Sequence, residues 1–89
     1  MFIAHVYVTL HPTVNDPQGL AIKGALHSLG FDAVESVRAG KYLQLRLSTD
    51  VRQEAEESTE EMCRLLLANP VIERFQFDLK EVADDQQIR

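Results

Sequence analysis

The sequence predicts an α+β fold, a two-layer sandwich in which two helices cover one face of a four-stranded, mainly antiparallel sheet. Three observations carry this expectation. Residues 2–10 alternate apolar and mixed positions with period two. Two stretches, 17–29 and the one between Asp50 and Asn69, repeat apolar residues at helical spacing between cap and breaker residues. Further alternating stretches follow each helix, giving the order βαββαβ. Two helices can cover only one face of such a sheet, as in a ferredoxin-like fold or a close variant.

The first strand places Phe2, Ala4, Val6, Val8 and Leu10 on one face and Ile3, His5, Tyr7 and Thr9 on the other. The loop "HPTVNDPQG" follows, and Asp16-Pro17 fits an N-cap with proline at the first helical position. Ile22, Ala25, Leu26 and Leu29 make the helix stripe. Gly30 suits a left-handed C-cap, with Phe31 packing back on Leu26 in a Schellman arrangement. The segment "AVESVRAGKYLQLRLS" reads as two strands joined by a tight turn at Ala39-Gly40. Its first half, residues 33–38, alternates poorly, which fits a bulge or an edge. Thr49 or Asp50 is placed to cap the second helix, with Ala55, Met62, Leu65 and Leu66 as its core stripe. Asn69-Pro70 stops that helix, and Val71, Phe75, Phe77 and Leu79 form the last strand. Residues 1–80 form one domain, and 81–89, "EVADDQQIR", read as a frayed or partner-ordered tail.

Eighty-nine residues make one core at most. The face bearing Ile3, Tyr7 and Tyr42 is too apolar for water and too polar for a monomer core, so a sheet-to-sheet homodimer is expected, with a tetramer left open. No apolar run reaches the ~20 residues of a bilayer span. The amino-terminal stretch lacks a basic leader and reads as a strand. The single cysteine, Cys63, suits a reducing compartment, so a cytoplasmic protein is expected. The net charge of −5 resides in residues 50–61, which hold six acids and one arginine, while acids and bases elsewhere cancel. No basic stripe remains for nucleic acid, and no membrane partner is expected.

A search for chemistry returns little. His5, His11 and His27 share no metal-ligand spacing with one another or with Cys63, so no metal is expected. No serine sits in a G-x-S-x-G turn, and Cys63 falls within a helical apolar stripe, where a structural thiol is the better reading. The carboxylate pairs Glu56-Glu57 and Glu60-Glu61 read as a solvated helix face. The loop ahead of the first helix lacks the glycine pattern of a phosphate cradle, and Asp16 would repel phosphate there. What remains is a small self-associating module with no catalytic residues of its own and no bound cofactor.

Four stretches, "VYVTLHPTVNDPQG", "ALHSLGF", "VRAGKY" and "LLANPVIERFQF", together resemble the small PurS-type subunit of phosphoribosylformylglycinamidine synthase, in order over residues 3–79. The match departs at His11, Thr13 and Asn15, where that family more often shows lysine, glycine and leucine; Asp16-Pro17-Gln18-Gly19 is intact. The resemblance implies a non-catalytic subunit of de novo purine biosynthesis. It bridges a glutaminase subunit and a large synthetase subunit that uses ATP and magnesium. It also assists ammonia transfer in converting formylglycinamide ribonucleotide to formylglycinamidine ribonucleotide. On that reading Asp16, Pro17, Gln18, Gly19, Arg38, Gly40, Lys41 and Tyr42 present partner-facing surface. The rival reading is an ACT-type module that binds a small regulatory molecule, since it shares the element order and dimerisation.

Overall fold

The computed structural model describes residues 1–83. Strand β1 (Phe2–Leu10) forms where the alternation predicts it and lies at the centre of the sheet. Antiparallel partners flank it: β2 (Gly40–Leu47), in register from Thr9↔Gly40 to Phe2↔Leu47, and β3 (Glu73–Glu81), from Leu10↔Glu73 to Phe2↔Glu81. Residues directly opposite share a face. Phe2, Ala4, Val6 and Val8 are therefore aligned with Leu43, Leu45 and Leu47 on one side and with Phe75, Phe77 and Leu79 on the other. The four β1 residues are completely buried, while the flanking leucines and phenylalanines are half-buried.

Among the described residues the sheet has three strands, not four. The expected strand over 33–38 and its hairpin turn at Ala39-Gly40 do not form. Its alternation is weak, and both ends of the segment are tied elsewhere. His27 Nε2–H donates to the Val34 carbonyl at 2.8 Å, and the Ala39 N–H donates to Asp16. The segment runs instead as the return limb of helix α1 (Pro17–Ser28).

The expectation of two helices on one face is corrected as well. Helix α2 (Arg52–Met62) packs over β1 and β3, but α1 makes no comparable contact with the sheet or with α2 among the described residues. Together, α1 and the return segment 31–39 form an arm. The radius of gyration reflects this, at 16.6 Å against the ~12 Å of a compact chain this long. Locally α1 obeys its sequence. Asp16 caps it, Gly30 takes a φ of 98°, and the Phe31 N–H closes the Schellman bond to the Leu26 carbonyl at 3.0 Å. The Phe31 ring stays exposed.

Neither Thr49 nor Asp50 caps α2. The Thr49 hydroxyl donates to Glu54 and accepts from the Val51 N–H, and Asp50 bonds the Met1 amino group, so the cap position falls to Val51, whose side chain makes no capping bond. The predicted core stripe holds for Ala55, whereas Leu65 and Leu66 point outward at 76% and 82% exposure. A π-helical turn, Cys63–Leu67, explains the change. It winds more residues per turn than an α-helix, so it carries the stripe out of phase and turns Cys63 and Ala68 inward. Burial, seconded by the Glu60 charge, raises the Cys63 pKa and keeps the thiol protonated.

Thr59 is buried beside this turn, and its hydroxyl has no hydrogen-bond partner. Thr59→Val keeps the shape and removes a stranded polar group, so it should raise unfolding free energy by about 1 kcal/mol in urea titrations.

Strand β3 continues to Glu81, and the Val82 N–H donates to the Met1 carbonyl at 2.9 Å. Residues 84–89 of that tail lie outside the described residues.

Candidate functional site

The loop that opens α1 and the segment that leads into β2 meet at a junction built around Asp16. Proline at position 17 fixes the first helical φ, so the Asp16 carboxylate turns back over the free N–H groups of the first turn. One oxygen accepts from the Gly19 N–H at 2.9 Å, and the other accepts from the Ala39 N–H at 2.8 Å. The carboxylate thus joins the start of the arm to its end. Arg38 adds a second clasp, donating from Nη2 to the His11 carbonyl at 3.0 Å and the Val14 carbonyl at 2.9 Å. Gly19 lies under this junction: a Cβ there would stand 2.2 Å from the Val37 carbonyl oxygen.

These contacts have an electrostatic consequence. Chiefly the Gly19 N–H, then the Ala39 N–H and the nearby Arg38 charge, outweigh desolvation and hold the Asp16 carboxyl below its ordinary value of 3.8. An acid with a depressed folded pKa stabilises the fold above its unfolded pKa, and that stability is lost as pH falls through the folded value. Thermal melts should therefore show a loss below pH 3.8 that Asp16→Asn lacks, the variant already being weaker at neutral pH.

The eight residues singled out from sequence divide into three places. Asp16 and Gly19 are buried and Arg38 is committed to the clasp. Asp16, Gln18, Gly40 and Lys41 line a shallow cleft of about 260 Å³ with Val8, Leu10, Ala39 and Glu73, and Pro17 is exposed beside Gln18. Lys41 Nζ reaches the Leu67 carbonyl at 3.3 Å and Glu73 at 3.8 Å. Tyr42 is separate, on the opposite face of the sheet, where its ring stacks on Tyr7 at 5.2 Å.

That outer face holds a polar cluster the sequence reading did not single out. Gln44 Nε2–H donates to the Tyr42 hydroxyl at 2.8 Å, and that hydroxyl also shares a hydrogen bond with His5 Nδ1 at 2.5 Å. The signal lay in the cross-strand register, which places Tyr7 opposite Tyr42 and His5 opposite Gln44. Glu73 was missed for the same reason, since its partner Lys41 lies on another strand. Among the described residues no three histidine, cysteine or acidic side chains gather as metal ligands. No helix among them is long and apolar enough to cross a membrane.

Fold and junction together define a small α+β module whose junction groups serve its own architecture and leave an arm and a sheet face exposed. Comparison with known proteins gives that class a family. The family model described as phosphoribosylformylglycinamidine (FGAM) synthase, PurS, matches residues 3–81. The PurS subunit of phosphoribosylformylglycinamidine synthase from Bacillus subtilis is 43% identical over 92% of this chain and 96% of its own. The one from Synechocystis is 45% identical over 83% of this chain and 74% of its own. Among solved structures, B. subtilis PurS in a C2 crystal form superposes with a TM-score of 0.82 at 42% identity, covering 91% of this chain and all of that one. A chain in the structure of PurLQS from Thermotoga maritima gives 0.80 at 26% identity, covering 90% of this chain and 99% of that one. This chain belongs to the PurS family of phosphoribosylformylglycinamidine synthase subunits. These matches favour the subunit reading over the ACT-type module.

Proposed function

We propose that the chain is the small non-catalytic subunit of a glutamine-dependent, ATP-consuming ligase complex in purine biosynthesis. It bridges the glutaminase and synthetase subunits and assists ammonia transfer between them, in the cytoplasm and as a homodimer. The single observation that carries this is the family match over residues 3–81, joined by the fold likeness to a chain of PurLQS. The physical need is simple: ammonia released into water is protonated, loses its nucleophilic lone pair and diffuses away. Holding two partners in one geometry keeps it neutral and concentrated at the acceptor. ATP and magnesium belong to the large subunit on this reading, and this chain holds no cofactor.

The partner-facing groups are those exposed beside the junction. Pro17, Gln18 and Lys41 present the cleft side, while Asp16, Gly19, Arg38 and Gly40 set its shape. Tyr42, half exposed with Tyr7 and Ile3 on the outer face, is the surface for sheet-to-sheet pairing. The test is synthesis by the other two subunits, with and without this chain, driven by glutamine or by added ammonia. Loss of only the glutamine-driven rate on omission is expected; equal rates in both conditions would discard the assignment. Gln18→Ala with Lys41→Ala should weaken complex formation in co-sedimentation while leaving the melting temperature within a few degrees, because neither side chain is buried.

A further inference from the structure

We infer that the outer sheet face holds a binding notch for a nucleoside phosphate, with Tyr7 taking the base and Arg74 the phosphate. The notch is separate from the Gln18–Lys41 cleft, and the inference does not depend on the subunit reading.

Strand register builds a surface that the linear sequence conceals. On the outer face Arg46 lies opposite Ile3, while Arg74 and Lys80 of β3 lie opposite Thr9 and Ile3. Asp78, opposite His5, is the acid that the three strands set among them. The face is therefore locally basic in a chain of net charge −5, because α2, with its glutamates, packs on the other side of the sheet. A face of this sign draws an anion.

The rings add a second preference. Tyr42 stacks with His5 at 5.9 Å and with Tyr7 at 5.2 Å. Toward β3, Tyr7 also lines a notch of about 420 Å³ with Thr9, Arg74, Phe75 and Gln76. Arg74 is exposed there and has no hydrogen bond or ion pair among the described residues. A planar base laid on Tyr7 extends the existing stack. The Gln76 amide offers both a donor and an acceptor to the polar edge of that base. Arg74 and the Thr9 hydroxyl then meet the phosphate. A bare anion would leave Tyr7 and Gln76 without a role, and a long polyanion would meet the acidic charge of the whole chain. Tyr7 also belongs to the face offered for sheet-to-sheet pairing, so a bound nucleotide and that pairing exclude each other.

The test is a nuclear magnetic resonance titration of the dilute, isotope-labelled full chain at neutral pH. The probes are adenosine monophosphate, adenosine, ribose phosphate and inorganic phosphate. Adenosine monophosphate should give saturable shifts at the Tyr7, Thr9, Arg74 and Gln76 amides at millimolar concentration. Adenosine and ribose phosphate, each with half of the recognition, should bind more weakly. Arg74→Gln and Tyr7→Leu should each weaken binding on the order of tenfold while the rest of the spectrum stays native, since both side chains are exposed. No saturable shift, shifts confined to other surfaces, or unchanged affinity in Arg74→Gln would overturn the site. Inorganic phosphate binding as tightly as adenosine monophosphate would overturn the base contact. Much tighter binding of a single-stranded oligonucleotide would overturn the mononucleotide assignment and make the face a nucleic-acid surface.

Discussion

Gly19→Ala should lower the melting temperature by roughly 5–15 °C, an unusual outcome for a glycine replaced inside a helix. Alanine normally favours a helix over glycine by about 1 kcal/mol. Here the added methyl would stand 2.2 Å from the Val37 carbonyl oxygen and 2.8 Å from an Asp16 carboxylate oxygen. Neither neighbour can yield cheaply. Val37 precedes the Arg38 clasp, and Asp16 is bonded at both oxygens. Separating them costs about 2–3 kcal/mol by overpacking, enough to outweigh the gain in helix propensity, and a domain of this size loses roughly 4–8 °C per kcal/mol. Gly24 provides the control within the same helix. Nothing lies within 4 Å of its missing Cβ, so Gly24→Ala should raise the melting temperature by a few degrees. Differential scanning calorimetry of the two variants tests the pair. Equal and positive shifts would show that the junction does not hold the arm.

These two glycines show where sequence stops informing structure. Asp16-Pro17 and Gly30 were legible because a cap and a left-handed turn are decided within a few residues of chain. The faces of β1 were legible because period-two alternation survives any choice of neighbours. The arm was not, because it depends on what Ala39 and Arg38 touch some twenty residues away. Nothing in "AVESVR" distinguishes an edge strand from a return limb. The outward turn of Leu65 and Leu66 was hidden as well, since a π-helical turn leaves no compositional mark and shifts every later position. For the candidate site the effect was selective. The short stretch around Asp16 was recognisable as a unit, yet its residues divide between an internal clasp and an exposed rim. That division is a property of hydrogen-bond geometry, which residue names do not carry.

Phe2→Ala should have the largest effect of any single truncation, because Phe2 is the largest side chain in the completely buried set. It closes one end of the sheet's covered face, opposite Leu47 on β2 and Glu81 on β3, with the Arg52 guanidinium 5.2 Å above its ring. Truncating a buried phenylalanine costs about 3–5 kcal/mol in lost transfer energy and cavity. A chain of this length has roughly 4–13 kcal/mol in all, so the variant should melt some 15–30 °C lower and be partly unfolded at working temperature. Arg52→Ala, which removes only the exposed cation, should cost about 1 kcal/mol or less. Phe2 is buried and remote from the Gln18–Lys41 rim, so its effect on function should run entirely through the folded fraction. Glutamine-driven synthesis by the reconstituted complex should fall with Phe2→Ala at 37 °C and recover on cooling, with ammonia-driven synthesis unchanged throughout. Gln18→Ala with Lys41→Ala should show the converse, a deficit that cooling does not repair. A Phe2→Ala deficit that persisted at low temperature, with the chain folded by circular dichroism, would place Phe2 in a partner contact and not in the core.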